Sequence, residues 1–212
     1  MKSFTKVTAV ACPFDEINVD TNQLCPTRFN KLPIGDPYLQ KVMFHDQRYT
    51  HDGKKRNADF IFNRDPYTKA EIIVADRNWG IGSSRESAVY AMAAFGIKSV
   101  IAVSFGDIHY NNMTKNGLCP IRLSQVACQD LRDQLLKNVG ALITVNLEEL
   151  KVIAPDGTEY GFQMHPLKLR CLLEGLDDIA LTKEYFDEIN TFEERHHRSK
   201  PFMKVLKPEE AI

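Results

Sequence analysis

Apolar and polar positions recur with clear periods through the middle of the chain, and those periods predict an α/β order. Residues 4–12 read as a first strand, and the segment FDEINVDTNQLCPTRFNKLPIGDP after it is polar and proline-punctuated. That segment is long for a plain connector, as expected of a functional loop. AEIIVAD at 70–76 is a short apolar run suited to a buried strand. In SRESAVYAMAAFG, Ala88, Ala91, Met92 and Phe95 recur at helical spacing, and Gly96 stands where a left-handed cap is wanted. SVIAVS at 99–104 is a further strand, FGDIHYNNMTKNG a second helix with a glycine stop, and LCPIRL another strand. Residues 124–138 predict a helix, ALITVNL a strand, and LKVIAPDGTEYGFQM two strands about an Asp-Gly turn. From Pro166 the chain reads as helical and increasingly charged, with the tail around EERHHRSK expected to be loosely ordered. No repeat or long Gly/Ser linker divides it, so a single domain over residues 1–212 is expected.

Hydrophobic residues make up 43% and charged residues 26%, which places the chain among ordinary globular proteins. Lys and Arg total 27 against 28 for Asp and Glu, so net charge gives no support to a nucleic-acid partner. No run approaches the roughly 18 apolar residues that a membrane span needs. The opening MKSFTKVTAVACPFDE turns acidic before any long apolar region, unlike a secretory signal, so a cytoplasmic protein is expected. The five cysteines, Cys12, Cys25, Cys119, Cys128 and Cys171, are widely and irregularly spaced, which argues against a disulfide framework or a metal cluster held by this chain.

The candidate chemistry sits in Gly80-Ile81-Gly82-Ser83-Ser84-Arg85-Glu86, between a predicted buried strand and a predicted helix. Backbone N–H groups and the positive end of a helix dipole meet there, so an anion belongs at this place. Gly80 and Gly82 let the backbone approach a ligand, and Arg85 can grip a carboxylate with two parallel hydrogen bonds. The pattern is neither GxxxxGK[ST] nor GxGxxG, which disfavours a nucleotide, and it lacks the G-x-S-x-G elbow of hydrolases. Ser83 and Glu86 also fit a helix capping box, and a cap and a site can coexist.

Within NWGIGSSRESAVYAMAAFGIKSVIAVSFGDIHYNNMTKNGLCPI the chain resembles the central signature of the isopropylmalate dehydratase small-subunit family, and it is similar to the last domain of aconitases. NVDTNQLCPTRF resembles that family's amino-terminal loop, FHDQRY and ADFIFN its next stretch, and RCLLEGLDDIALT its carboxy-terminal signature. The resemblance implies a swivelling three-layer β/β/α domain that caps a larger partner subunit carrying a four-iron four-sulfur cluster, with no cofactor bound by this chain. It implies a hydro-lyase that moves a hydroxyl between neighbouring carbons of a small di-acid, here 2-isopropylmalate through isopropylmaleate in leucine synthesis. By motif position Ser83 is the base, while Ser84 and Arg85 hold substrate carboxylate.

Three positions depart from the family pattern. Asn22 stands where Asp is usual in the loop that also carries Asp20 and Thr21, Ser87 where His is common, and Ile81 where many members have Cys. Arg28 is read equally as a contact to the second carboxylate and as an exposed surface residue. His109, His196 and His197 read as solvated histidines. Two rivals stay open: a related dehydratase acting on citramalate, dimethylmalate or homoaconitate, and a di-acid-binding module without turnover, a reading to which Asn22 lends weight.

Overall fold

The computed structural model describes residues 1–50 and 53–203. The chain forms two compact units, Met1–Gly175 and Leu176–Ile212. The first is built on one seven-stranded sheet in the order β4-β3-β2-β1-β5-β6-β7. Its parallel half comprises β1 (Lys6–Pro13), β2 (Ile72–Val74), β3 (Ser99–Ala102) and β4 (Cys119–Arg122). Its antiparallel half comprises β5 (Leu142–Asn146), β6 (Lys151–Ile153) and β7 (Glu159–Gly161), the last two meeting about the expected Asp156-Gly157 turn. β1 serves both halves, because its residues 6–10 pair antiparallel with β5 and its residues 11–13 pair parallel with β2.

A parallel strand covered on both faces needs apolar residues throughout rather than alternation. β2 has them: Ile73 enters one core with Val100 and Ala102, while Ile72 and Val74 enter the other with Ile101 and Ile121. The first core is closed by α3 (Glu86–Phe95) and α4 (Asp107–Lys115), together with the aromatic group Phe14, Phe44, Phe62 and Trp79. The second is filled by Cys128, Leu131 and Leu135 of α5 (Gln125–Lys137), closed by Ile143, Val145 and Val152 of the antiparallel strands, and sealed by Leu172 of α6 (Pro166–Glu174). Helices, parallel strands and a curled antiparallel flap around α5 make the layered α/β architecture that the sequence predicts.

One expectation needs correction. Ser83 is not a helix cap: α3 starts at Glu86 with Arg85 in the extended cap position and no side-chain cap bond, and Glu86 instead accepts a 2.9 Å hydrogen bond from the Tyr90 hydroxyl one turn on. The capping box lies in the loop, where Asp20 caps the four-residue helix α1 (Thr21–Leu24) and the Gln23 side chain accepts from the Asp20 N–H at 2.7 Å. The first seven residues of the EERHHRSK tail lie in α8 (Phe186–Ser199) of the second unit, which follows α7 (Asp178–Lys183). Asp187 and Glu188 in the first turn of α8 and His196, His197 and Arg198 in the last complement its dipole. The last nine residues of the expected domain lie outside the described residues.

Candidate active site

The loop leaving β2 runs along the carboxyl-terminal edge of the parallel strands, where open α/β sheets bind ligands. Backbone pairing fixes it on both sides. On one, Trp79 donates to Ser104 O at 2.9 Å and Gly106 donates to Trp79 O at 2.9 Å. On the other, Gly80 and Ile81 donate to Val19 O at 2.8 and 3.1 Å, and Thr21 donates to Ile81 O at 2.9 Å. Asn18 and Asn78 hold positive φ angles at the entry to this arrangement, and the Asn78 amide donates to Asn18 Oδ1 at 2.7 Å. Asn tolerates that conformation better than most residues, and neither position was singled out from the sequence.

Gly80 cannot carry a side chain: at φ +71° its Cβ would lie 2.1 Å from Cδ2 of His109. At Gly82, φ is +97° and a Cβ would lie 2.8 Å from the Asp20 carboxylate. The loop is thereby pressed between α4 and the Asp20–Thr21 segment. Thr21 is buried, and its hydroxyl donates to Ser83 O at 3.1 Å. That leaves the Ser83 and Ser84 side chains exposed on the outer rim, with neither hydroxyl bonded to another described residue. The turn is open to a second molecule. Arg85, half-buried, donates from Nη1 to Asn22 Oδ1, and Thr27 Oγ1 donates to the same oxygen at 2.9 Å. Asn22 therefore aims the guanidinium without neutralising it, which leaves its charge for an anion beside the uncapped start of α3.

Ser83, Ser84, Arg85, Gly80, Gly82, Asp20, Thr21 and Asn22 are thus brought together. Arg28 is engaged elsewhere. Its two Nη atoms donate to the two carboxylate oxygens of Asp46 at the first turn of α2 (His45–Arg48), and its Nη2 lies 3.1 Å from His45 Nδ1. The Asp46 carboxyl is held below the usual range by that guanidinium, and burial holds the His45 pKa below its ordinary value against the pull of Asp46. Phe29 packs on the His45 ring at 4.7 Å. An ion pair spanning 18 residues of irregular loop has no periodic signal in a sequence.

Two buried polar groups behind the loop were also missed. Asp76, immediately before the loop, pairs at 2.7 Å with Arg132 of α5, and Arg132 also donates to Ala75 O at 2.7 Å and to Gln129 Oε1 at 2.7 Å. His109 was read as solvated but is 2% exposed, because it backs Gly80, and neither ring nitrogen has a hydrogen-bond partner among the described residues. Burial lowers its pKa from 6.5 to about 4, so the fold favours the neutral ring. The unfolded chain takes up the extra proton between those two values. Stability from this residue is therefore complete above the unfolded pKa and is lost as pH falls toward 4, by about 3 kcal/mol. Urea unfolding at pH 7 and pH 4.5 is expected to show this loss, and His109→Phe to reduce it; an unchanged acid slope in the variant counts against the assignment.

Among the described residues the cysteines are not arranged to hold an iron–sulfur cluster. Cys12, Cys25, Cys119 and Cys128 are buried, and burial pushes their thiols up. Among the described residues no group of three or more His, Cys, Asp or Glu side chains is placed to hold a metal ion.

The Aconitase C-terminal domain family matches residues 1–126. The chain is 45% identical over 203 residues to the 3-isopropylmalate dehydratase small subunit of Roseobacter denitrificans, covering 96% of this chain and 100% of that one. The small subunit of Afipia carboxidovorans is 43% identical over the same shares of both chains. Among solved structures, the 3-isopropylmalate dehydratase of Methanocaldococcus jannaschii superposes with a TM-score of 0.61 at 25% identity, over 88% of this chain and 99% of the other. The curled sheet, the open serine–arginine turn at its edge and full-length similarity converge: the chain belongs to the 3-isopropylmalate dehydratase small-subunit family of the aconitase superfamily.

Proposed function

We propose that this chain is the small subunit of a cytoplasmic hydro-lyase that converts 2-isopropylmalate to 3-isopropylmalate through isopropylmaleate in leucine biosynthesis, active when joined to a large subunit. The observation that carries this reading is the exposed Ser83–Ser84 pair beside an Arg85 that Asn22 orients while leaving its charge uncompensated. In the reaction Arg85 and Ser84 bind a substrate carboxylate, and Ser83, as an alkoxide, removes the proton from the adjacent carbon. A serine hydroxyl is a poor base in water, so the start of α3, the Arg85 charge and exclusion of solvent by the partner must stabilise the oxyanion. The four-iron four-sulfur cluster belongs in this reading to the large subunit, where it supplies Lewis acidity to the departing hydroxyl. Arg28 reaches a second carboxylate only by exchanging Asp46 for substrate.

The test is co-expression with a large-subunit candidate and anaerobic turnover on 2-isopropylmalate, citramalate, dimethylmalate and homoaconitate. Preferential turnover of 2-isopropylmalate by a brown complex is expected. Preference for another di-acid replaces the substrate, and a colourless chain that binds di-acids without a partner or turnover replaces the function.

A further inference from the structure

A second cationic cavity lies away from the serine turn. It has a volume of 190 Å³ and is lined by Lys41, Arg48, Tyr49, Arg56 and Thr68, with Phe95 at one wall and no carboxylate among the described lining residues. Phe95 is the last residue of α3, whereas Arg85 precedes its first. Ten helical residues therefore place the cavity about 15 Å along that axis from the candidate active site.

Arg48 is 3% exposed and forms no ion pair with a carboxylate among the described residues. Its Nε donates to Asn63 Oδ1 at 3.2 Å, and its Nη1 donates to Gln40 O and Met43 O at 3.1 and 3.2 Å, all neutral acceptors. Nη2 is left without a protein partner among the described residues. Tyr49 is 9% exposed, and its hydroxyl is buried with no hydrogen-bond partner. Burial, followed by the neighbouring Arg56 guanidinium, lowers the Arg48 pKa from its ordinary value. Arg56 and Lys41 are exposed and form no ion pair with a described residue. A buried guanidinium beside a second cation, with an idle hydroxyl at the same wall, is costly alone and is relieved by an anion.

We propose that this cavity binds a phosphate group, free or at the end of a small ester, with Arg48, Arg56 and Lys41 supplying charge and Tyr49 supplying a hydroxyl donor, while the Thr68 hydroxyl, which also lines it, donates to Asp65. The volume is below the roughly 300–1,000 Å³ of ordinary organic-ligand pockets, and three cations around so compact a space suit several oxygens on one centre.

The test is calorimetric titration of the full-length chain with inorganic phosphate, glycerol phosphate and malonate at ionic strength fixed with potassium chloride. Saturable phosphate binding is expected, retained in Arg85→Gln and weakened about tenfold or more in Arg56→Gln. Tyr49→Phe should weaken it about threefold while leaving the phosphate-free melting temperature no lower than wild type. Tighter binding of glycerol phosphate than of inorganic phosphate assigns the site to an ester, and the reverse to the free ion. The proposal is overturned if phosphate produces no saturable heat, if Arg56→Gln binds as wild type, if Arg85→Gln abolishes the response, or if malonate binds more tightly than phosphate.

Discussion

Replacing Ser83 by alanine is expected to lower turnover of the assembled enzyme by about 10²–10⁴-fold, the range over which a positioned general base contributes. The substitution removes one exposed hydroxyl that bonds to no other described residue. It leaves the Ser83 carbonyl, which accepts from Thr21, and every backbone bond that holds Gly80 and Ile81. Circular dichroism and gel filtration with the large subunit should therefore match wild type. Arg85 and Ser84 remain to bind carboxylate, so the loss should fall on kcat with little change in KM. Turnover within tenfold of wild type would remove Ser83 from the role of base.

The second large effect is on stability. Arg132→Ala is expected to cost about 3–5 kcal/mol, because it strands the Asp76 carboxylate, which is 8% exposed, without its cation. It also removes the donor to Ala75 O, at the point where β2 gives way to the serine loop. Chemical denaturation measures the loss directly, and a value below 1 kcal/mol would show that water reaches the carboxylate. The double substitution Asp76→Leu with Arg132→Met removes both charges at once and should recover most of the stability, since the penalty lies in the unpaired ion rather than in the absent bridge.

Most of the central fold was legible because its elements obey simple periods. The run at 70–76 contains β2, Gly96 ends α3 at φ +115°, and Pro166 opens α6 as the sequence indicated. The start of α3 was misread because Ser-x-x-Glu satisfies the capping pattern, whereas Thr21 holds the Ser83 carbonyl and Tyr90 takes the Glu86 carboxylate. Tertiary contacts overrode a local rule. The same holds for His109, a polar residue in a polar-looking helix that faces inward because Gly80 leaves room for its ring. Asp20, Thr21 and Asn22 could be grouped with the serine turn only through family resemblance, since 60 residues separate the segments and one parallel bridge between Asp20 and Ile81 joins them.

The double allegiance of β1 bears on how the polypeptide matures. The neighbour for residues 6–10 of this strand lies at 142–146, so during synthesis that edge stays unsatisfied until the chain has been made through those residues. Such distant pairing slows folding, and a bare strand edge invites association with other chains. Nascent fragments ending before residue 142 should consequently engage chaperones or aggregate, whereas release of β5 closes the seam and ends that vulnerability.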